Sequence, residues 1–134
     1  MILPNGALVA VLDGKQMRLF RNVGHEPRID LVELPEPDLH AGNTGSGTRH
    51  HSSAANPDGR RIHEDDFAAA AVDFLNREAL VGHFDKLLII ADPRTLGELR
   101  KHFHQVLTAK VTGQIAKDLV GHSVKQIEAA VGTA

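Results

Sequence analysis

The chain has 134 residues, 42% of them apolar, 24% charged and none Cys, with a formal net charge of -2. That length and apolar content suit one domain with one core, and the slightly acidic balance argues against a dedicated nucleic-acid binder, which needs a clustered basic surplus, while leaving room for local RNA contact. The lack of Cys excludes disulfides and thiolate metal sites and fits the cytosol.

In chain order, the opening MILPNGALVAVLDGK has no basic n-region and breaks at Pro4, Asn5 and Gly6, so no export signal is expected. No apolar run approaches the roughly 20 residues of a membrane span. A soluble, unprocessed, cytoplasmic chain is the expectation. Ala7 to Leu12 forms a short apolar run closed by the turn dipeptide Asp13-Gly14, after which Met17, Leu19 and Arg21 alternate with their neighbours, a hairpin pattern. A turn around Pro27 follows. Ile29 to Leu34, alternating and ending at Pro35, predicts a third antiparallel strand.

From about residue 36 to 62 the composition changes to Gly, Ser, Asn and Pro, which predicts a long flexible loop that is either functional or disordered. Arg49, His50, His51, Arg60, Arg61 and His63 make it locally basic and sensitive to pH. Glu64, Asp65 and Asp66 place negative charge where a helix N-terminus favours it. Phe67, Ala70, Ala71, Phe74 and Leu75 then predict the apolar face of a first helix ending near Gly82.

Leu87 to Ile90 is a continuous apolar run, which suits a strand covered on both faces. Asp92-Pro93 fits an N-cap followed by a first helical residue, and Thr95 with Glu98 offers a capping box slightly later. Leu96, Leu99, Phe103, Val106 and Leu107 then predict one continuous second helix. A weakly patterned strand is expected at 111–118, and a last helix from Ser123, with Val124, Ile127 and Val131 buried. The expected fold is α/β, ribonuclease-H-like, βββαβαβα, a mixed five-stranded sheet with helices packed on it in a single domain over 1–134.

The stretches VAVLDGKQMRLFRN, LLIIADPRTLGELRKHF and IAKDLVGHSVKQIE resemble the bacterial host-attachment protein family, described as required for attachment to host cells and similar to the central domain of archaeal and eukaryotic class-one peptide-chain release factors. In the release factors the long loop carries a Gly-Gly-Gln tripeptide that promotes ester hydrolysis at the peptidyl-transferase centre. Here the equivalent segment, HAGNTGSGTRHHSSAANPDGRR, has no Gly-Gly pair and no Gln. The resemblance therefore implies the fold without the hydrolytic activity.

Two kinds of site compete. Ribonuclease-H-like topology brings Asp13, Glu64 or Asp65, and Asp92 forward as ligands for two Mg²⁺ ions about 3.5–4 Å apart, the arrangement of a nuclease. Each also has a structural duty in a turn, a helix start or a cap, and that reading is preferred, so no metal is expected. Nine histidines show no metal-binding spacing. Arg49, His50, His51, Arg60 and Arg61 in the loop, with Arg94 and Arg100 around the second helix, are the binding candidates. The preferred function is a non-enzymatic binding protein of the host-attachment family, intracellular and acting indirectly in attachment or on the translation machinery, that needs no cofactor and takes a protein or RNA partner, the ribosome and tRNA included. The alternatives are a Mg²⁺-dependent nuclease and a ribosome- or tRNA-associated factor without hydrolysis.

Overall fold

Strands β1 (Leu8–Leu12) and β4 (Leu87–Ala91) are buried at every position, as continuous apolar runs should be when both faces of a sheet are covered. In the computed structural model the described residues are 2–37, 39 and 59–134, with the side chains of 59–65 excepted. β1 pairs antiparallel with β2 (Met17–Asn22), which pairs antiparallel with β3 (Leu31–Glu33). On its other side β1 runs parallel to β4, and β4 parallel to β5 (Val111–Ala116). The sheet order β3-β2-β1-β4-β5 is consistent with the ribonuclease-H-like α/β fold expected.

Period-two alternation divides the core between the two sheet faces. Leu8, Ala10, Leu12, Leu87, Ile89 and Ala91 meet the helices α1 (Gly59–Leu80), α2 (Pro93–Arg100) and α3 (Gln105–Lys110). Val9, Val11, Phe20, Leu88, Ile90 and Ile115 meet α4 (Val124–Gly132), through Ile127 and Val131.

Several elements differ from expectation. The second helix is two helices, so the order is βββαβααβα. After Arg100 the chain turns. The His104 amide donates to Asn76 Oδ1 of α1 at 3.0 Å, and His104 Nδ1 accepts from the Val106 amide at 3.2 Å, which caps α3. Asn76 also donates to the His102 carbonyl. The apolar spacing continues through the break because Leu99 and Leu107 both face the same core.

Helix α1 begins at Gly59, so Glu64, Asp65 and Asp66 lie beyond its first turn rather than in it. Its buried stripe is Ala68, Ala71, Val72, Leu75 and Ala79, with Phe67 and Phe74 only partly buried at the flanks. Small side chains let the helix sit close to the sheet. Its end is as expected. Gly82 has φ +78°, the left-handed conformation, and the His83 amide returns to the Glu78 carbonyl at 3.0 Å.

Strand β2 is covered on both faces, with Phe20 and Asn22 fully buried opposite Met17 and Leu19. β3 is shorter than the 29–34 expected, and Ile29 packs against the α4 side from outside it. β5 ends at Ala116, and Thr112 bulges out of register between the pairs Leu87–Val111 and Leu88–Gly113. At the last helix both halves of the capping box form, Ser123 amide to Gln126 Oε1 at 2.9 Å and Gln126 amide to Ser123 Oγ at 3.2 Å.

Candidate functional site

The parallel strands β1, β4 and β5 end on the same edge of the sheet, and the residues that follow them line one cleft. Gly14 follows β1, Asp92 follows β4 and Asp118 follows β5; Ala68 of α1 and Arg94, Thr95 and Glu98 of α2 complete a cavity of about 250 Å³. The chain leaves β1 toward β2 on one side and β4 toward β5 on the other. A cleft at the carboxyl ends of strands where connections diverge is where open α/β sheets commonly bind ligands.

The first turn of α2 is arranged by Asp92. Its Oδ2 accepts from the Thr95 amide at 3.2 Å and its carbonyl accepts from Leu96 at 2.9 Å, with Pro93 at the first helical position. Asp92 is therefore the N-cap, and the alternative start at Thr95 does not occur. Pro93 has no N–H to satisfy, and the Arg94 amide, a first-turn donor with no carbonyl four residues back in the helix, has no partner among the described residues because the Asp92 side chain is taken by Thr95. The Thr95 side chain is buried, 9% exposed. Its hydroxyl has no hydrogen-bond partner among the described residues. Glu98 accepts from Lys101 Nζ at 2.9 Å, and that hydrogen bond holds its carboxyl below the ordinary value. Arg94 and Asp118 are both exposed.

The carboxylates suggested for metal binding are divided in their duties. Asp13 Oδ1 accepts from the amides of Lys15 and Gln16, each at 2.8 Å, so this acid organises the β1–β2 turn. Asp92 caps α2. Glu64 and Asp65 lie in α1 with side chains outside the described ones. Among the described residues no group of three or more His, Cys, Asp or Glu side chains is placed to hold a metal ion.

Of the basic candidates, Arg94 stands at the cleft and Arg100 at the far end of α2, where its Nε donates to Gln114 Oε1 at 2.7 Å. Arg49, His50 and His51, and with them most of the loop expected at 36–62, lie outside the described residues, as do the side chains of Arg60 and Arg61 in the first turn of α1. The structure thus brings Asp92 and Arg94 together. Asp118 and Thr95 join them unanticipated: Asp118 lies in the stretch IAKDLVGHSVKQIE, where no spacing singles it out as a site residue, and the capping-box spacing marks Thr95 for a different role.

Residues 6–131 match bacterial archaeo-eukaryotic release factor family 12. The chain belongs to that family. It is also similar to an uncharacterized protein of Rickettsia prowazekii (strain Madrid E), 29% identical over 139 residues that cover 92% of this chain and 91% of the other. The release-factor part of the resemblance noted in the sequence is therefore sound. No helix among the described residues is long and apolar enough to cross a membrane.

Proposed function

We propose that this chain is a non-enzymatic binding domain that acts on the translation machinery, with the ribosome or tRNA as its partner. One observation carries the reading: a chain matched over residues 6–131 to a release-factor family has, between His40 and Arg61, neither a Gly-Gly pair nor a Gln. The partner-facing architecture is kept while the residues that promote ester hydrolysis are missing. Arg94 and Arg100 on α2, with Arg49, His50, His51, Arg60 and Arg61 preceding or opening α1, form the contact set for phosphates. A cytoplasmic location follows from such a partner. The role in attachment to host cells implied by the resemblance is then indirect, exerted through protein synthesis rather than through contact with a surface.

Co-sedimentation through a sucrose gradient tests the proposal. The protein is expected to migrate with ribosomes at low salt and to be released as salt rises, because phosphate contacts exchange with counterions. Arg94→Glu combined with Arg100→Glu should move it to the top of the gradient. In a peptidyl-tRNA assay it should release no peptide. Failure both to co-sediment with ribosomes and to shift tRNA on a native gel, at any salt concentration, refutes the partner, and peptide release that disappears on deleting residues 40–58 refutes the non-enzymatic role.

A further inference from the structure

We propose that the cleft at the carboxyl ends of β1, β4 and β5 binds a free α-amino acid, a small zwitterion whose primary ammonium stands beside a carboxylate. This goes beyond the ribosome or tRNA reading and does not depend on it.

The inference starts from Thr95. A buried hydroxyl without a partner carries a desolvation cost that native structures rarely leave uncompensated. Thr95 is 9% exposed, lines the cleft, and its hydroxyl has no hydrogen-bond partner among the described residues. Beside it are two carboxylates with oxygens to spare. Asp92 commits Oδ2 to the Thr95 amide and keeps Oδ1, while Asp118 makes no hydrogen bond or ion pair among the described residues. The third acid, Glu98, is already held by Lys101. Three acceptors, Asp92, Asp118 and Thr95, thus face one cleft, and an ammonium group has three N–H donors to give.

The same cleft offers donors on its α2 side. The Arg94 guanidinium makes no hydrogen bond among the described residues, and its backbone amide is the unfilled donor of the α2 first turn. A guanidinium fork binds a carboxylate with two parallel hydrogen bonds, and a helix N-terminus favours negative charge. The site therefore asks for both signs in one small molecule.

Other ligands leave part of the cleft unanswered. Phosphate would meet Arg94 but lie against Asp92 and Asp118. A divalent cation would suit the oxygens but be repelled by Arg94, and no group of three metal-ligating side chains gathers there among the described residues. A volume of about 250 Å³ leaves room for a side chain beyond the two charged groups.

Amide NMR titration of the full chain tests this with glycine, L-alanine and L-lysine as probes. Saturable shifts are expected at Gly14, Thr95 and Asp118. N-acetylalanine, which lacks the ammonium, and alanine methyl ester, which lacks the carboxylate, should bind about tenfold more weakly or worse, as should the variants Asp118→Asn and Thr95→Val. Thr95→Ser, which keeps the hydroxyl, should restore binding. Signals from the rest of each spectrum report whether the variant is folded. Absence of saturable shifts with all three probes overturns the proposal, as does equal binding of the blocked compounds, or Mg²⁺ or inorganic phosphate alone moving the same amides with comparable affinity. Ribosome co-sedimentation reads the other proposal separately, so either can fail alone.

Discussion

Asn22 Oδ1 accepts a 2.9 Å hydrogen bond from the Asp30 amide, joining the end of β2 to the start of β3. The same oxygen accepts from the Gly24 amide at 3.0 Å, and Asn22 Nδ2 donates to the carbonyls of Leu3 and Pro4 at 2.9 and 3.2 Å. One fully buried amide thus fastens the N-terminal segment and the β2–β3 turn to the sheet. Gly24 fits beneath that turn because a Cβ there would stand 2.9 Å from the Arg28 carbonyl oxygen and 3.0 Å from the Asp30 amide nitrogen.

Asn22→Ala should lower stability by about 3 kcal/mol, because it strands several backbone groups in the interior rather than removing one bond. Asn22→Asp should recover little, since a carboxylate cannot donate to Leu3 and Pro4. Urea unfolding monitored by circular dichroism measures both. A loss below about 1 kcal/mol for the alanine variant would show that water replaces the amide freely.

Arg18 supplies the pH-dependent counterpart. Its Nε and Nη2 each donate to Glu33 at 2.9 Å, while Nη1 donates to the carbonyls of Val120 and His122 at 2.7 and 2.8 Å. The hydrogen bond from Arg18 holds the Glu33 carboxyl below its ordinary value, and the same bond raises Arg18. A lowered folded-state value contributes stability above the unfolded value of about 4.3, and that stability is lost as pH falls through the folded one. The Glu33 side chain is 42% exposed, so solvent screening limits the contribution to about 1 kcal/mol or less. Glu33→Gln should therefore be less stable than the parent at pH 7, with the difference shrinking as pH falls below about 4.3 and vanishing only below the lowered folded-state value. Arg18→Ala should cost more at both pH values, because two carbonyls lose their donor. Thermal unfolding across that range decides the order.

The break between α2 and α3 depends on His104. His104→Ala removes the acceptor for the Val106 amide and should destabilise by about 1 kcal/mol, while His104→Asp, a better cap, should be neutral or stabilising. Denaturation midpoints of the two variants provide the comparison, and equal losses would mean that the cap contributes nothing.

The close seating of α1 predicts that Ala71→Leu, at a position fully buried against the sheet, costs about 1–3 kcal/mol by overpacking. Phe74, only partly buried, should tolerate replacement by Leu with less effect. The reverse ranking would place the phenylalanine stripe inward, and chemical denaturation of both variants distinguishes the two.

Continuous apolar runs, the Asp-Gly turn, the Asp-Pro cap and the Ser123–Gln126 box were legible because each is a local signal whose physical cause sits within a few residues. The break at residues 101–104 was not. It contains neither Gly nor Pro, and its cause is Asn76, 28 residues from His104 in sequence. The rotation of α1 was hidden for a similar reason: hydrophobicity favours Phe, but distance to the sheet selects Ala. Asp92 and Arg94 were legible at the cleft from the cap and from charge. Asp118 was not, because only the parallel pairing of β4 with β5 carries it to the same edge.

Glu128 on α4 accepts from the Leu31 amide at 2.8 Å, across 97 residues of sequence, and the same helix covers Val9, Val11 and Phe20. Such pairings tie the order of folding to the order of synthesis. The first hairpin leaves the ribosome with both apolar faces uncovered, one awaiting α1 to α3 and the other α4, and with the β1 edge awaiting β4, and closing those distant contacts carries the loop-closure penalty that slows folding of non-local topologies. The nascent chain therefore cannot close this face of the sheet until α4 has emerged, and during that interval the uncovered apolar strands are exposed to aggregation.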